Sequence, residues 1–214
     1  MSQSLMLDRA SILLITNGTI GAYVNEFLLE HADVTHITTS EPLPDLVGYD
    51  CVALAVDRPY PHVADAIDVA CHRAGIPWCG AALIAHTAEI GPMVIPGQTP
   101  CYLCWKRRRA TQAEDPDLAL LIDRIGRGSV GPWFAGELPA FNRQVAALLV
   151  FEALQLAHKR DSPPPEAMGD FWQLDALTGE SMRHIFASVG YCSRCRNLKE
   201  ASDVRNHLRL SEVL

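Results

Sequence analysis

Ser11-Ile-Leu-Leu-Ile-Thr16, followed directly by Asn17-Gly-Thr-Ile-Gly21, is the stretch that decides the fold of this chain. A continuous apolar run bounded by a turn predicts a strand that is buried on both faces. The turn leads into a segment whose apolar residues recur every three or four positions, which predicts an amphipathic helix. Strand, glycine turn and helix in this order are typical of the opening of a Rossmann-type βαβ unit.

The same alternation of strands and helices continues along the next sixty residues. Short apolar runs predict three more strands, and an amphipathic segment that closes at Gly75 predicts a second helix. The predicted elements are strands at Val34–Thr39, Cys51–Asp57 and Ile76–Leu83, and a helix at Val63–Ala74. Alternating strands and helices predict an α/β fold with a Rossmann-like, mostly parallel sheet and flanking helices.

The glycine turn departs from the dinucleotide-binding motif G-x-G-x-x-G. Gly18 and Gly21 fill the second and third glycine positions, but Thr16 occupies the first. A side chain there works against the tight turn that lets the backbone approach a phosphate. The second strand also ends in Thr38-Thr-Ser40 instead of an acidic residue for a ribose, with Glu41 as a possible substitute. We therefore interpret the turn as a relic of nucleotide binding.

Two cysteine pairs lie far apart in the sequence, Cys101 with Cys104 and Cys192 with Cys195. The Cys-x-x-Cys spacing directs two sulfurs at one point, and two such pairs can supply the four thiolates of a tetrahedral zinc site. Four protein ligands leave no open position, so a site of this kind would be structural. Four unrelated thiols, or two separate redox dithiols, remain as alternatives.

The overall composition is that of an ordinary globular protein, with 49% apolar and 20% charged residues in 214 positions. The net charge of −7 does not favour nucleic acid as the main partner. A signal peptide and apolar runs near twenty residues are absent from the sequence, so we expect a cytoplasmic protein with reduced thiols and no membrane contact. The remaining cysteines lie in apolar segments and are predicted to be buried: Cys51, Cys71 and Cys79.

The second half of the chain contains a loosely patterned segment, a long apolar helix and a hairpin. Residues 106–136 begin with four basic residues, which we interpret as solvated and paired with neighbouring acids, with a binding patch as the alternative. We predict that this segment is an insert that is mobile or contacts a partner. Phe141–Lys159 is apolar on most of its circumference, which indicates burial inside the domain or at a subunit contact. Phe171–Leu177 and Ser181–Ala187 predict a hairpin that delivers the second cysteine pair. The tail, Asn197–Leu214, is polar and helix-like.

Two segments carry a resemblance to a known family. Asp68-Val-Ala-Cys-His-Arg-Ala-Gly-Ile-Pro-Trp-Cys-Gly-Ala-Ala-Leu83, followed by Thr99-Pro-Cys-Tyr-Leu-Cys104, resembles the N-x-x-C-x-x-x-x-I-P-L-V-x-G-A-A and P-C-x-x-C segments of ubiquitin-activating enzymes and their bacterial ThiF/MoeB relatives. Gly91-Pro-Met-Val-Ile-Pro-Gly97 and the segment after it are similar to the ThiF-like partner proteins of peptide cyclodehydratases.

The resemblance extends over most of residues 11–196 and implies one ThiF-like domain, residues 1–214. Its parts would be a degenerate nucleotide-binding half (11–100), a zinc-stapled half with the insert (101–196) and the tail (197–214). The four paired cysteines match the family's structural zinc ligands. Together these features predict an α/β fold with a zinc-stapled C-terminal hairpin.

Adenylating members of this family need an intact glycine loop, cationic residues for the ATP phosphates and an aspartate for magnesium. Here Asp57 could stand at the magnesium position, but Arg58-Pro-Tyr-Pro61 replaces the usual continuation. The segment between Cys104 and Cys192 also contains none of the cysteines that such enzymes often use. We therefore expect a structural Zn²⁺, no ATP and no catalytic residues, with Gly18, Gly21 and Asp57 as a degenerate nucleotide site.

The cyclodehydratase partner subgroup implies a non-catalytic scaffold in the biosynthesis of azole-containing ribosomal peptides. It would present a precursor peptide to a YcaO-type cyclodehydratase, or organise the complex, as a homodimer. Such proteins usually carry an N-terminal peptide clamp, whereas this sequence begins close to the first strand, so we expect either a separate clamp protein or contacts through residues 106–136 to bind the leader. The alternatives are an ATP-dependent adenylyltransferase of the ThiF/MoeB type and a dinucleotide-binding protein with an incidental zinc.

Overall fold

A computed structural model describes residues 9–112, 138–158 and 168–195, together with residues 117 and 121. These parts of the chain form seven strands and four long helices. In chain order they are β1 (Ala10–Asn17), α1 (Thr19–Leu29), β2 (Ala32–Thr38), β3 (Cys51–Val56), α2 (Pro61–Ala74), β4 (Trp78–Ile84), β5 (Thr87–Ile90), α3 (Tyr102–Gln112), α4 (Pro139–His158), β6 (Met168–Asp175) and β7 (Ser181–Ala187). Most of the predicted insert, and the tail from residue 197, lie outside the described residues.

All seven strands belong to one sheet with the order β2-β1-β3-β4-β5-β6-β7. The pairings from β2 to β4 are parallel, which confirms the Rossmann-like prediction, and those from β4 to β7 are antiparallel. Short turns join β4 to β5 and β6 to β7, and a short turn can connect only antiparallel neighbours. The predicted hairpin is therefore present, as β6 and β7, and extends the parallel half into a mixed sheet.

Strand β1 lies between β2 and β3 and is buried on both faces. Ile12 and Leu14 belong to the apolar cluster that includes α1 and α4, whereas Leu13 and Ile15 belong to the cluster that includes α2 and α3. This division follows from the alternation of side chains along a strand. The cysteines predicted to be buried are all fully buried: Cys51, Cys71 and Cys79.

Helix α4 packs inside the domain, which is the first of the two kinds of burial that its apolar sequence predicted. Its buried face, which includes Val145 and Leu149, packs against α1 and the first apolar cluster. Phe151, on the outer side, is 55% exposed. The indole N–H of Trp172 on β6 donates to the carboxylate of Glu152 at 2.9 Å and ties the helix to the antiparallel half of the sheet.

The basic run after the first cysteine pair lies in helix α3, not in a loose segment. Lys106 pairs with Asp65 of α2 at 3.1 Å, and Arg109 pairs with Glu89 of β5 at 2.8 Å. Both of these acids come from other elements of the fold, and most of the acidic segment that follows the run lies outside the described residues. Within the described helices, none combines the length and apolarity needed to cross a bilayer.

Candidate metal centre and glycine turn

The four paired cysteines converge although 91 positions separate the two pairs. Cys101 and Cys104 lie at the beginning of α3, and Cys192 and Cys195 follow β7, all four buried. The sulfurs of Cys101 and Cys104 are 3.8 Å apart, those of Cys101 and Cys192 3.5 Å, and those of Cys104 and Cys195 3.4 Å. All four sulfurs lie within 4.8 Å of one another.

These sulfur separations fit one metal ion. A tetrahedral site with metal–sulfur distances of ~2.3 Å has edges of about 3.8 Å. A disulfide would bring two sulfurs to ~2.05 Å, and none of these cysteines is in a disulfide. Because each pair faces the other, the cluster is one four-thiol site and not two separate dithiols. The four buried cysteines could therefore bind a metal ion.

The surroundings of Cys104 favour the thiolate that a metal ion needs. The thiols of Cys101 and Cys195 act as hydrogen-bond donors to its sulfur, and the backbone N–H of Val189 donates to it at 3.3 Å. These contacts hold the pKa of Cys104 far below its usual range, at about 2. The hydrogen bonds that the Cys101 thiol makes with Cys104 and Cys195 raise the pKa of Cys101. Because a metal ion binds cysteine as the thiolate, the lowered pKa of Cys104 suits a ligand role.

A buried ion pair connects the second cysteine pair to helix α2. Arg194, between Cys192 and Cys195, donates from Nη1 to Oδ2 of Asp68 at 2.6 Å. The Asp68 side chain is 0% exposed and the Arg194 side chain 19% exposed. Burial lowers the pKa of Arg194, but the hydrogen bond and charge of Asp68 outweigh it, so the pKa is raised.

Asp68 also accepts hydrogen bonds from both elements that support the first cysteine pair. Its Oδ1 accepts from the indole N–H of Trp78 at 3.0 Å and from the backbone N–H of Tyr102 at 3.3 Å. One carboxylate therefore joins β4, the start of α3 and the second cysteine pair. This role of Asp68 was not predicted, although an aspartate on the buried face of an amphipathic helix was a detectable signal.

The glycine turn is filled by a carboxylate of the chain itself. Asp57, which follows β3, accepts hydrogen bonds from the backbone N–H of Thr19 at 2.6 Å and of Ile20 at 2.9 Å. It also accepts from the Thr19 hydroxyl at 2.9 Å. The N–H groups at a helix N-terminus attract anions, and here they are occupied by an intramolecular anion.

The two glycines of the turn leave space that is occupied by the side chains of Asp57 and Thr16. Gly18 has φ +101°, and a Cβ there would lie 2.1 Å from Oδ2 of Asp57. A Cβ at Gly21 would lie 2.5 Å from Cβ of Thr16, whose hydroxyl is hydrogen-bonded to Nε2 of His36 at 2.7 Å. The structure thus brings Gly18 and Asp57 together, whereas Gly21 accommodates Thr16.

We expect Asp57→Ala to lower the free energy of unfolding by about 2 kcal/mol, because two helix N–H groups and one hydroxyl lose their acceptor. Chemical denaturation followed by circular dichroism measures this loss. Glu26→Ala is the matched control, since Glu26 is an exposed carboxylate on the same helix. Its effect should stay within about 0.5 kcal/mol. Equal stability of the Asp57 variant and the wild type would contradict the assigned cap.

The fold and the cysteine cluster define the class of protein: a Rossmann-like α/β domain in which four buried cysteines, at the beginning of α3 and after β7, could bind a metal ion. The chain belongs to the ThiF family, whose model matches residues 29–194, well over half of the sequence. A search of curated proteins found no match.

Solved structures of low sequence identity share the fold. A heterocyclase in complex with substrate and cofactor is 16% identical, with a TM-score of 0.66 over 88% of this chain and 26% of that one. The heterocyclase TruD is 17% identical, with a TM-score of 0.64 over 88% of this chain and 28% of that one. E. coli MccB with ATP is 17% identical, with a TM-score of 0.59 over 88% of this chain and 68% of that one. The chain thus spans little more than a quarter of the heterocyclase chains.

Proposed function

We propose that this ThiF-family chain is a non-catalytic, zinc-containing partner protein of a YcaO-type cyclodehydratase in the biosynthesis of azole-modified ribosomal peptides. The position of Asp57 is the observation that supports a non-catalytic role. Its carboxylate occupies the N–H groups of α1 that would otherwise hold a phosphate. Two anions do not share one set of donors without strong repulsion, so ATP would have to displace Asp57 first.

The partner role is supported by the likeness of this fold to heterocyclases, one of which was solved with substrate and cofactor. Within such a complex the chain would present the precursor peptide or organise the enzyme. We propose a homodimer, which light scattering on the purified protein tests.

The metal in this proposal is zinc, and its role is structural. A tetrahedral set of four thiolates is typical of zinc or of iron–sulfur sites. Four protein ligands leave no position for water or substrate, so the ion would join the end of β7 to the beginning of α3 without taking part in chemistry.

The partner role predicts that the chain raises azoline formation by a YcaO-type cyclodehydratase from the same source at least tenfold. The purified enzyme, ATP and a precursor peptide are incubated with and without the chain, and mass spectrometry counts the water molecules lost from the peptide. The reaction without the chain is the control, and Cys192→Ser should support less activity than wild type. Equal azoline formation with and without the chain would contradict the proposal.

The same preparation tests the adenylyltransferase alternative. We expect the isolated chain to show no ATP–pyrophosphate exchange with candidate peptides, and no rise in its thermal midpoint with magnesium and ATP. Exchange that depends on both ATP and peptide would establish the enzyme and overturn the non-catalytic part of the proposal.

A further inference from the structure

A pocket of about 240 Å³ lies between α2 and α3, above the carboxyl ends of β3 and β4. Neither the cysteine cluster nor the glycine turn lines it. Its floor is apolar and includes Leu54, Val56 and Ala81. Clefts at the carboxyl ends of parallel strands are frequent ligand sites in α/β proteins.

Packed aromatic rings form the walls of this pocket. The rings of Tyr102 and Trp105 of α3 stack with their centroids 5.3 Å apart. The centroids of the Tyr102 ring and of the Trp78 ring of β4 are 5.8 Å apart. All three line the pocket and are buried. Since these rings support one another from two elements, the pocket is formed before any ligand arrives.

The rim of the pocket is positively charged. Lys106 and Arg109 are each paired with a carboxylate, Asp65 and Glu89, so two of the three cations are neutralised. The guanidinium of Arg109 also lies over the Trp105 ring, 5.6 Å from its centroid. Arg107 is exposed, and none of the described residues offers it an acidic partner. Within the part of the chain that the structure describes, Arg107 is therefore the cation at the mouth without a carboxylate partner.

We propose that this pocket is a binding site for one bulky apolar group that carries a carboxylate. The apolar group would lie between the aromatic walls, and the carboxylate would reach Arg107 at the rim. A cavity of ~150 Å³ admits benzene, so about 240 Å³ suits one ring with a short acidic chain. This inference depends only on the pocket and not on the proposed function.

Two sources can supply this chemistry, a free organic acid or the last residue of a peptide. Calorimetric titration at low salt compares 3-phenylpropionate, the neutral 3-phenylpropanamide, and the peptide acetyl-Gly-Gly-Phe with a free carboxylate. We expect 3-phenylpropionate to bind with a dissociation constant of about 1 mM, as suits a ligand of its size. The amide should bind about threefold to fivefold more weakly, because an exposed ion pair contributes little. Tighter binding of the peptide identifies a peptide end as the source, and tighter binding of phenylpropionate a free acid.

Two substitutions place the binding in this pocket. Ala110→Leu puts a larger side chain into the lining from the half-buried side of α3 and should weaken binding at least tenfold. Arg107→Gln should reduce the affinity for the acid threefold to fivefold and leave the affinity for the amide unchanged. The matched controls are Thr111→Leu on the same helix and Arg73→Gln on α2, which are exposed and do not line the pocket.

Circular dichroism confirms that each variant is folded before titration. No binding of any probe at 10 mM (about ten times the expected constant) would overturn the site, and so would binding that Ala110→Leu leaves unchanged. An acid and an amide of equal affinity, with no effect of Arg107→Gln, would overturn the assignment of a carboxylate.

Discussion

Replacement of Cys192 with serine is expected to lower the free energy of unfolding by about 4 kcal/mol or more, with loss of the bound metal. The variant removes one of four converging thiolates and leaves the other three buried. Because the site joins the end of β7 to the beginning of α3, its loss also releases the hairpin from the α2–α3 side of the sheet. Elemental analysis of purified protein should give about one zinc per wild-type chain and much less in the variant.

Cys79→Ala is the matched control, because Cys79 is equally buried but lies outside the four-thiol site. It should keep its zinc and lose about 1 kcal/mol, as for the removal of a small buried group. A strong chelator should lower the thermal midpoint of the wild type and of Cys79→Ala, but have little effect on Cys192→Ser. A metal-free wild type with an unchanged midpoint would refute the metal site.

The second large effect is expected at the buried ion pair between α2 and the second cysteine pair. Arg194→Leu should lower the free energy of unfolding by roughly 3–5 kcal/mol, because it leaves the Asp68 carboxylate buried without its cation. The two hydrogen bonds that Asp68 accepts from Trp78 and Tyr102 remain, but the variant also removes the contact of Arg194 with Asp65 at 3.4 Å. Urea denaturation followed by circular dichroism measures the loss of stability.

The charge pair can be separated from other contacts of Arg194 with a double-mutant cycle. Asp68→Asn keeps an oxygen acceptor for Trp78 and Tyr102 but removes the charge, so Asp68→Asn with Arg194→Leu should be less destabilised than the sum of the single variants. Arg73→Leu, an exposed arginine on the same helix α2, should change stability by less than about 0.5 kcal/mol. Additive single effects would show that the two side chains do not interact in the folded protein.

The parallel half of the sheet was predictable because the information for it is local. The apolar run at Ser11–Thr16 is buried on both faces because its side chains alternate between two apolar clusters. The length of such a run and the turn after it are visible in the sequence. The pairing of Lys106 with Asp65 and of Arg109 with Glu89 could not be predicted, because these acids lie on elements distant in the sequence.

The sequence by itself determined the α/β alternation, the strand–turn–helix opening and the four cysteines, because spacing and periodicity act over a few neighbouring residues. Only the tertiary structure decided that Asp57 occupies the N-terminus of α1, that Asp68 pairs with Arg194, and that α2 and α3 enclose a pocket. Each of these contacts joins residues that the fold brings together from separate elements. A buried charge needs a partner of opposite charge or a hydrogen-bond partner, which can lie far away in the sequence. The local sequence pattern therefore does not predict which residue that partner is.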